Sequence, residues 1–158
     1  MDSLGAILVA LPVCTLLRTC LIHLVFGESS GATMIRALMS SPKAKALFVR
    51  AILQSDPQDY PFENRTISRD VIGANVLSQL GCSNVACARS KAVSDIVAAT
   101  TQISQTGMSL NPMVPITPLS PTIDGTWIQG DFSRLISTGA LPNSVDVIMG
   151  YNHRPKQI

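Results

Sequence analysis

A serine between two glycines is the residue of this sequence best placed to do chemistry. Gly27-Glu28-Ser29-Ser30-Gly31 has the spacing G-x-S-x-G, and it lies between an apolar run at 21–26 and a run of helix-forming residues. A serine hydroxyl is a weak nucleophile that must project toward a base, and a tight strand-to-helix turn provides that projection. The pattern predicts Ser29 as a nucleophile, with the Ser30 amide N–H donating to an oxyanion from a helix N-terminus. A Gly/Ser loop without catalytic meaning is the alternative.

The elements that must position this serine alternate between strands and helices. Short β-rich apolar runs predict strands, apolar residues spaced three or four apart predict helices, and a proline-rich stretch predicts a surface loop. Such alternation is typical of parallel βαβ units in an α/β fold. The predicted strands are 21–26, 50–54 and 145–149, the helices are 32–39, 66–80, 91–101 and 131–138, and the loop is 104–121.

The composition excludes several classes of protein. With 158 residues, 46 % of them hydrophobic and 14 % charged, the chain is expected to fold as one domain with a buried core. The formal charge is only +2 and forms no concentrated basic stripe, so no nucleic-acid partner is expected. The ten glycines and ten prolines follow no period, which excludes collagen-like and coiled-coil architecture.

Cysteines and a sequon favour a secreted protein. Cys82 and Cys87 lie five residues apart in a loop-like stretch and could close as a disulfide or stand as two buried thiols. No C-x-x-C pair occurs and both histidines are far from any cysteine cluster in sequence, so no metal site is expected. Asn64-Arg65-Thr66 is a glycosylation sequon. The apolar run 4–17 is too short to span a bilayer; a signal sequence, a buried helix or strand, and a membrane anchor all stay open.

Five segments in register resemble one enzyme family. The stretch 23–32, HLVFGESSGA, resembles the nucleophile-elbow segment of the type-B carboxylesterases, which typically reads VTxFGESAGA. Residues 47–55 are similar to the family's LFxRAIxQSG, 80–90 to its LGC…CLRS, 121–125 to its PxIDG, and 139–150 to the lead-in to its acid-bearing strand. The resemblance covers about 22–152, which leaves 1–21 as an unrelated apolar head and 153–158 as a diverged tail of a single partial domain over 1–158.

The resemblance implies an α/β-hydrolase fold, here partial, with an incomplete and mainly parallel sheet flanked by helices. It also implies hydrolysis of a small-molecule or lipid ester through a Ser–His–acid triad that needs neither a metal nor an organic cofactor. In this family Ser29 would be the nucleophile, and Gly27, Glu28, Ser30 and Gly31 would form the elbow and the oxyanion contact. Cys82 and Cys87 match the family's second disulfide, with tighter spacing.

The same comparison predicts that the triad is incomplete in this chain. Nothing in 1–21 resembles the family's Gly-rich oxyanion loop, Pro155 stands where the family's acid is expected, and the family's histidine would lie beyond residue 158. A substitute acid and base could be sought in Asp124, Asp131, Asp146 and His153.

Each of these candidate substitutes has a structural interpretation that we prefer. Asp124 is expected in a turn, Asp131 at a helix N-cap, and Asp146 on a strand face that the sequence leaves open. His153 is expected in a solvated tail, and His23 in the core or an interface. Two functional classes therefore stay open: an ester hydrolase that is catalytically incomplete here, and a non-catalytic relative that binds or self-associates through exposed sheet edges. A truncated gene product is a third interpretation.

Overall fold

The computed structural model describes the backbone of residues 7–9, 12–14, 20–56, 61–110 and 119–151, and side chains within 24–56, 61–103 and 119–151. The chain divides into two compact units, one of Met1–Pro61 with Ile123–Ile158 and the other of Phe62–Thr122. The strands are β1 (Ile7–Val9), β2 (Pro12–Cys14), β3 (Cys20–Glu28), β4 (Phe48–Gln54), β5 (Glu63–Asn64), β6 (Thr122–Ile123) and β7 (Asp146–Gly150). The helices are α1 (Ser30–Met39), α2 (Ala74–Gln79), α3 (Val85–Arg89), α4 (Val93–Leu110) and α5 (Phe132–Ser137).

The first unit is built on a mainly parallel sheet. Its strand order is β1-β3-β4-β7, and β2 also pairs with β3. β3 runs parallel to β4, β4 runs parallel to β7, and β1 and β2 are antiparallel to β3. The three strands predicted from the sequence are confirmed as the parallel core of this sheet. The apolar run 4–17 contains β1 and β2, which cover the edge of β3 that the sequence left unpaired.

Helix α1 lies against this sheet through one face. Ala32, Ile35 and Met39 recur at helical spacing and are buried, as are Val25 on β3 and Leu53 on β4. A 3₁₀ turn at Pro42–Ala44 follows the helix and leads to β4. The packing fixes the start of α1 above the carboxyl end of β3, where the G-x-S-x-G sequence lies.

The end of α1 is closed by a residue far along the chain. The buried amide of Asn143 donates through Nδ2 to the carbonyl oxygens of Leu38 at 2.9 Å and Ser41 at 2.7 Å. Its backbone N–H donates to the Met39 carbonyl at 3.3 Å. Asn143 thus adds donors at the end of α1 and in the following turn, where the Leu38 and Ser41 carbonyls also accept from the Ser41 and Ala44 N–H groups.

The second unit is helical and holds the disulfide. A π-helical segment, Ile67–Gly73, continues into α2, so the helix predicted over 66–80 is confirmed with a wider first part. Cys82 and Cys87 form a disulfide. Between them α3 begins, a helix that the sequence analysis missed, with Asn84 as N-cap accepting from the Cys87 N–H at 2.9 Å.

The prediction of a loop over 104–121 is wrong in its first part, because α4 continues to Leu110. The first proline after residue 103 is Pro112, so no proline interrupts the helix before position 111. Among the helices that the structure describes, none combines the length and the apolarity that crossing a bilayer requires.

Candidate active site

Ser29 occupies the sharp turn that the sequence predicts. It is the single residue between the end of β3 and the start of α1, and its backbone has φ 53° and ψ −117°. A positive φ is uncommon for a residue with a side chain and costs on the order of 1–3 kcal/mol. Such strain persists where the surrounding structure imposes it, and it concentrates at active sites.

The glycines of the motif allow the strand and the helix to approach each other. A Cβ atom on Gly27 would lie 2.6 Å from the carbonyl carbon of Gly31, 2.8 Å from its oxygen and 2.9 Å from the Ala32 nitrogen. These neighbours are backbone atoms, which cannot rotate away. Gly27 is therefore required by the close approach of β3 to the first turn of α1, and Gly31 is the residue approached.

Two backbone hydrogen bonds hold Ser29 in this conformation. Its N–H donates to the carbonyl of Gln54 at the end of β4, at 2.9 Å, and its carbonyl accepts from the Thr33 N–H at 3.1 Å. The first bond places Ser29 at the carboxyl end of two parallel strands, which is where ligands bind in open α/β sheets. The second begins α1, so the helix N-terminus and its positive dipole end lie at the same turn.

A polar groove of about 340 Å³ lies at the same end of the sheet. It is lined by Glu28, Gln54, Ser55, Gly150 and Tyr151, from the ends of β3, β4 and β7. Ser55 has a positive φ of 49° and donates its N–H to the Gly150 carbonyl at 2.7 Å. Ser29 follows Glu28 directly but does not itself line this groove. The volume of the groove is at the lower end of the range for small-molecule sites.

A buried ion pair supports the elbow from below, and the sequence analysis missed it. Arg36 of α1 and Asp56, two residues after β4, are each 1 % exposed, with Arg36 Nε 2.9 Å from Asp56 Oδ2 and 3.1 Å from Oδ1. The Thr33 hydroxyl lies 3.4 Å both from Asp56 Oδ1 and from the Ser29 carbonyl oxygen. Burial raises the pKa of the Asp56 carboxyl, and the neighbouring guanidinium opposes that rise without cancelling it.

The three aspartates considered as a catalytic acid are engaged elsewhere. Asp124 Oδ1 accepts from the backbone N–H groups of the three residues 126–128, at 2.7–3.1 Å, and these bonds lower the pKa of its carboxyl. Asp131 caps α5 by accepting from the N–H groups of Ser133 and Arg134. The structural roles predicted for Asp124 and Asp131 are confirmed. The side chain of Asp146 is 87 % exposed, and its Oδ2 lies 3.7 Å from Arg50 Nε.

The histidines do not enter the described site. His153 lies outside the described residues, and of His23 only the backbone is described, within β3. In the part of the chain that the structure describes, no three His, Cys, Asp or Glu side chains gather where a metal ion could bind. Within the described residues, the elbow therefore offers the Ser29 hydroxyl as a reactive group and the backbone N–H groups at the start of α1 as donors. The groove at the strand ends lies beside them.

Comparisons with known proteins agree with this geometry. The family model described as the carboxylesterase family matches residues 24–158. The "Crystal protein" of Dictyostelium discoideum is 30 % identical over 132 residues, which are 81 % of this chain and 23 % of that protein. The acetylcholinesterase of Bungarus fasciatus is 32 % identical over 124 residues, 73 % of this chain and 19 % of that protein.

Solved structures give the same fold. The thermophilic PNB esterase superposes with a TM-score of 0.66 at 25 % identity, covering 82 % of this chain and 26 % of that one. The chain thus spans about a fifth of the length of the curated relatives and about a quarter of the solved structure. Its fold is the corresponding part of an α/β-hydrolase fold, as the sequence predicted.

Proposed function

Because the chain belongs to the carboxylesterase family, we propose that Ser29 is the nucleophile of a serine carboxylic ester hydrolase. The observation that carries the proposal is the backbone of Ser29. With a φ of 53°, Ser29 alone joins β3 to α1. Gly27 and Gly31 approach each other too closely beneath it for a Cβ atom on Gly27. A serine in this position projects its Oγ from the top of the sheet.

The proposed reaction proceeds in two steps. Ser29 Oγ attacks the ester carbonyl carbon as its proton passes to a base, and the amide N–H of Ser30 donates to the carbonyl oxygen as that oxygen becomes negative. The protonated base returns its proton to the leaving oxygen, the tetrahedral intermediate expels the alcohol, and an acyl group stays on Ser29. Water then attacks this acyl-enzyme and releases the carboxylic acid, restoring the serine hydroxyl.

The proposal assigns the base and the acid to groups outside the described residues. Asp124 and Asp131 use their carboxylates to hold local backbone N–H groups, and Asp146 is exposed beside Arg50. A carboxylate that orients a triad histidine must be free to accept from it. The described part of the chain therefore contributes the nucleophile, the elbow and the oxyanion contact.

The substrate class follows from the family and from the space at the strand ends. Esterases of this family act on small-molecule esters. The groove beside the elbow, about 340 Å³ and lined by polar residues, has room for part of a small-molecule ester. We place the ester carbonyl at Ser29 and the rest of the substrate toward this groove.

Hydrolysis of a short aryl ester by the full chain tests the proposal. Release of nitrophenol from p-nitrophenyl acetate is measured for the wild type, Ser29→Ala and Ser30→Ala. Ser30→Ala is the matched control, because it removes a neighbouring hydroxyl and keeps the backbone N–H. Because the triad is expected to be incomplete in this chain, we expect only slow release, above the buffer rate in the wild type and Ser30→Ala and lost in Ser29→Ala. Equal rates in all three proteins would contradict the assignment.

A second candidate is a non-catalytic protein that associates with copies of itself. All five residues of β7 are exposed, including Val147, Ile148 and Met149, and no strand of the described residues pairs with its outer edge. Exposed apolar strand edges pair readily with other chains. The relative named "Crystal protein" is not named for a reaction, which is compatible with this candidate.

Sedimentation velocity tests the second candidate. Ile148 is 66 % exposed at the edge, and Val93 is 76 % exposed on a helix. Self-association through β7 predicts dimers or larger species in the wild type and Val93→Lys, and monomers in Ile148→Lys. A monomeric wild type at all concentrations would remove the proposal, as would oligomers that Ile148→Lys leaves unchanged.

A further inference from the structure

One motif of the sequence takes no part in the proposed chemistry, the sequon Asn64-Arg65-Thr66. It is the only N-x-S/T sequence in the chain. The sequon lies in the second unit, at the start of the helical segment that leads into α2, and all three of its residues are exposed. Because a glycan is bulky and solvated, the asparagine that accepts it has to lie on the surface, as Asn64 does.

The two polar atoms of the Asn64 side chain are engaged differently. Oδ1 accepts from the Ile67 N–H at 2.9 Å, which is the hydrogen bond of a helix N-cap. Within the part of the chain that the structure describes, Nδ2 donates to no protein group. The linkage to a glycan forms at Nδ2 and leaves Oδ1 as a carbonyl oxygen. The amide of Asn64 is therefore able to accept a glycan without losing the cap.

A second feature of the same unit points to the compartment in which asparagine glycosylation takes place. Cys82 and Cys87 form a disulfide. Disulfides form and persist in oxidising environments such as the lumen of the endoplasmic reticulum, and an N-x-S/T acceptor is used in secreted proteins, which pass through the same lumen. The sequon and the disulfide thus require the same route, although different residues form them.

We propose that Asn64 carries an N-linked oligosaccharide on Nδ2 while Oδ1 continues to cap the helix. The donor is an oligosaccharide attached to a lipid diphosphate. Nδ2 forms a bond to the anomeric carbon of the sugar, and the bond from that carbon to the diphosphate oxygen breaks. The lipid diphosphate leaves, and one proton of Nδ2 passes to a base. The proposal does not depend on the role of Ser29.

Production in a secretory pathway tests whether the site is used. The full chain with an added cleavable leader is produced in mammalian cells, and peptides containing residue 64 are analysed from both the secreted and the cell-retained protein. We expect a glycan on Asn64 that peptide-N-glycosidase removes, leaving an aspartate at that position. Thr66→Ala should lose this glycan, because it removes the hydroxyl of the sequon. Thr66→Ser is the matched control, because it keeps a hydroxyl and should keep the glycan.

Amide hydrogen exchange tests whether the glycan and the cap coexist. Aspartate is as good an N-cap as asparagine, so Asn64→Asp keeps the cap and lacks the glycan, whereas Asn64→Ala lacks both. We expect the Ile67 N–H to exchange at similar rates in the glycosylated wild type and in Asn64→Asp, and severalfold faster in Asn64→Ala. Far-UV circular dichroism confirms that each protein is folded before these rates are compared.

Three results would overturn the proposal. The first is a wild-type chain whose Asn64 is unmodified in both the secreted and the retained protein. The second is a glycan that Thr66→Ala retains, which would place it on another residue. The third is exchange of the Ile67 N–H in the glycosylated wild type as fast as in Asn64→Ala, which would show that the glycosylated side chain does not cap the helix.

Discussion

Replacing Gly27 by alanine would bring a methyl group into steric conflict with the backbone of the first turn of α1. The new Cβ would lie 2.6–2.9 Å from three backbone atoms of Gly31 and Ala32, where ordinary contacts begin at 3.4 Å. Relief requires α1 to move away from β3, because no side chain at the contact can rotate aside. The Ser29 turn between these two elements would open in the process.

The magnitude follows from two opposing effects. Overpacking a closely packed site costs about 1–3 kcal/mol, and a contact with backbone belongs at the upper end of that range. Alanine also restricts the unfolded chain, which returns about 0.4–1 kcal/mol. We therefore expect Gly27→Ala to lower the free energy of unfolding by about 2 kcal/mol, a large part of the stability of a typical domain.

Urea denaturation followed by circular dichroism measures this loss. With a denaturant slope of about 1–3 kcal/mol per molar, the midpoint should fall by roughly 1 M. Gly150→Ala is the matched control, since Gly150 also ends a parallel strand, has no positive φ, and has nothing within 4 Å of its added Cβ. We expect its free energy of unfolding to stay within about 0.5 kcal/mol of the wild-type value. Equal midpoints for the two variants would refute the argument that Gly27 is required by close approach.

Other parts of the same unit give further predictions on stability. Arg36→Met leaves the buried Asp56 carboxylate unpaired and should cost about 3–5 kcal/mol in urea denaturation, whereas Arg36→Met with Asp56→Leu should recover most of it; a double variant as unstable as the single one would contradict the pairing. Because burial raises the pKa of Asp56 above 3.8, the folded chain keeps this proton to higher pH than the unfolded chain. The free energy of unfolding of the wild type, relative to that of Asp56→Asn, should therefore fall as the pH rises from 4 through the folded pKa of Asp56. A wild-type advantage that grows with pH would contradict the raised pKa. Asn143→Ala should cost about 1–3 kcal/mol, because it removes two side-chain hydrogen bonds and leaves the Leu38 and Ser41 carbonyls with one backbone donor each. Asn143→Asp should cost more because a carboxylate cannot donate, and a thermal melt unchanged in both variants would show that these bonds do not stabilise the fold.

The elbow was predictable because the interactions that form it are local. A strand, one strained serine and a helix follow each other within 20 residues, and the two glycines record the close approach. The N-cap of α5 at Asp131 and the turn at Asp124 were predictable for the same reason, since each side chain binds backbone N–H groups within four residues.

The support beneath the elbow was not predictable, because it joins residues that are distant in sequence. Arg36 and Asp56 are 20 residues apart, and only the parallel pairing of β3 with β4 brings the ends of their elements together. Asn143 reaches the end of α1 from more than 100 residues away. None of these three residue types indicates such a role, because arginine, aspartate and asparagine are usually exposed to solvent.

Covalent labelling tests the central claim most directly. The full chain is treated with a fluorophosphonate, which phosphonylates activated serines, and the modified residue is identified by peptide mass spectrometry. We predict an adduct on Ser29 in the wild type and in Ser30→Ala, and none in Ser29→Ala. A folded wild-type chain that carries no adduct on Ser29, or carries it on another serine, would contradict the assignment of Ser29 as the nucleophile.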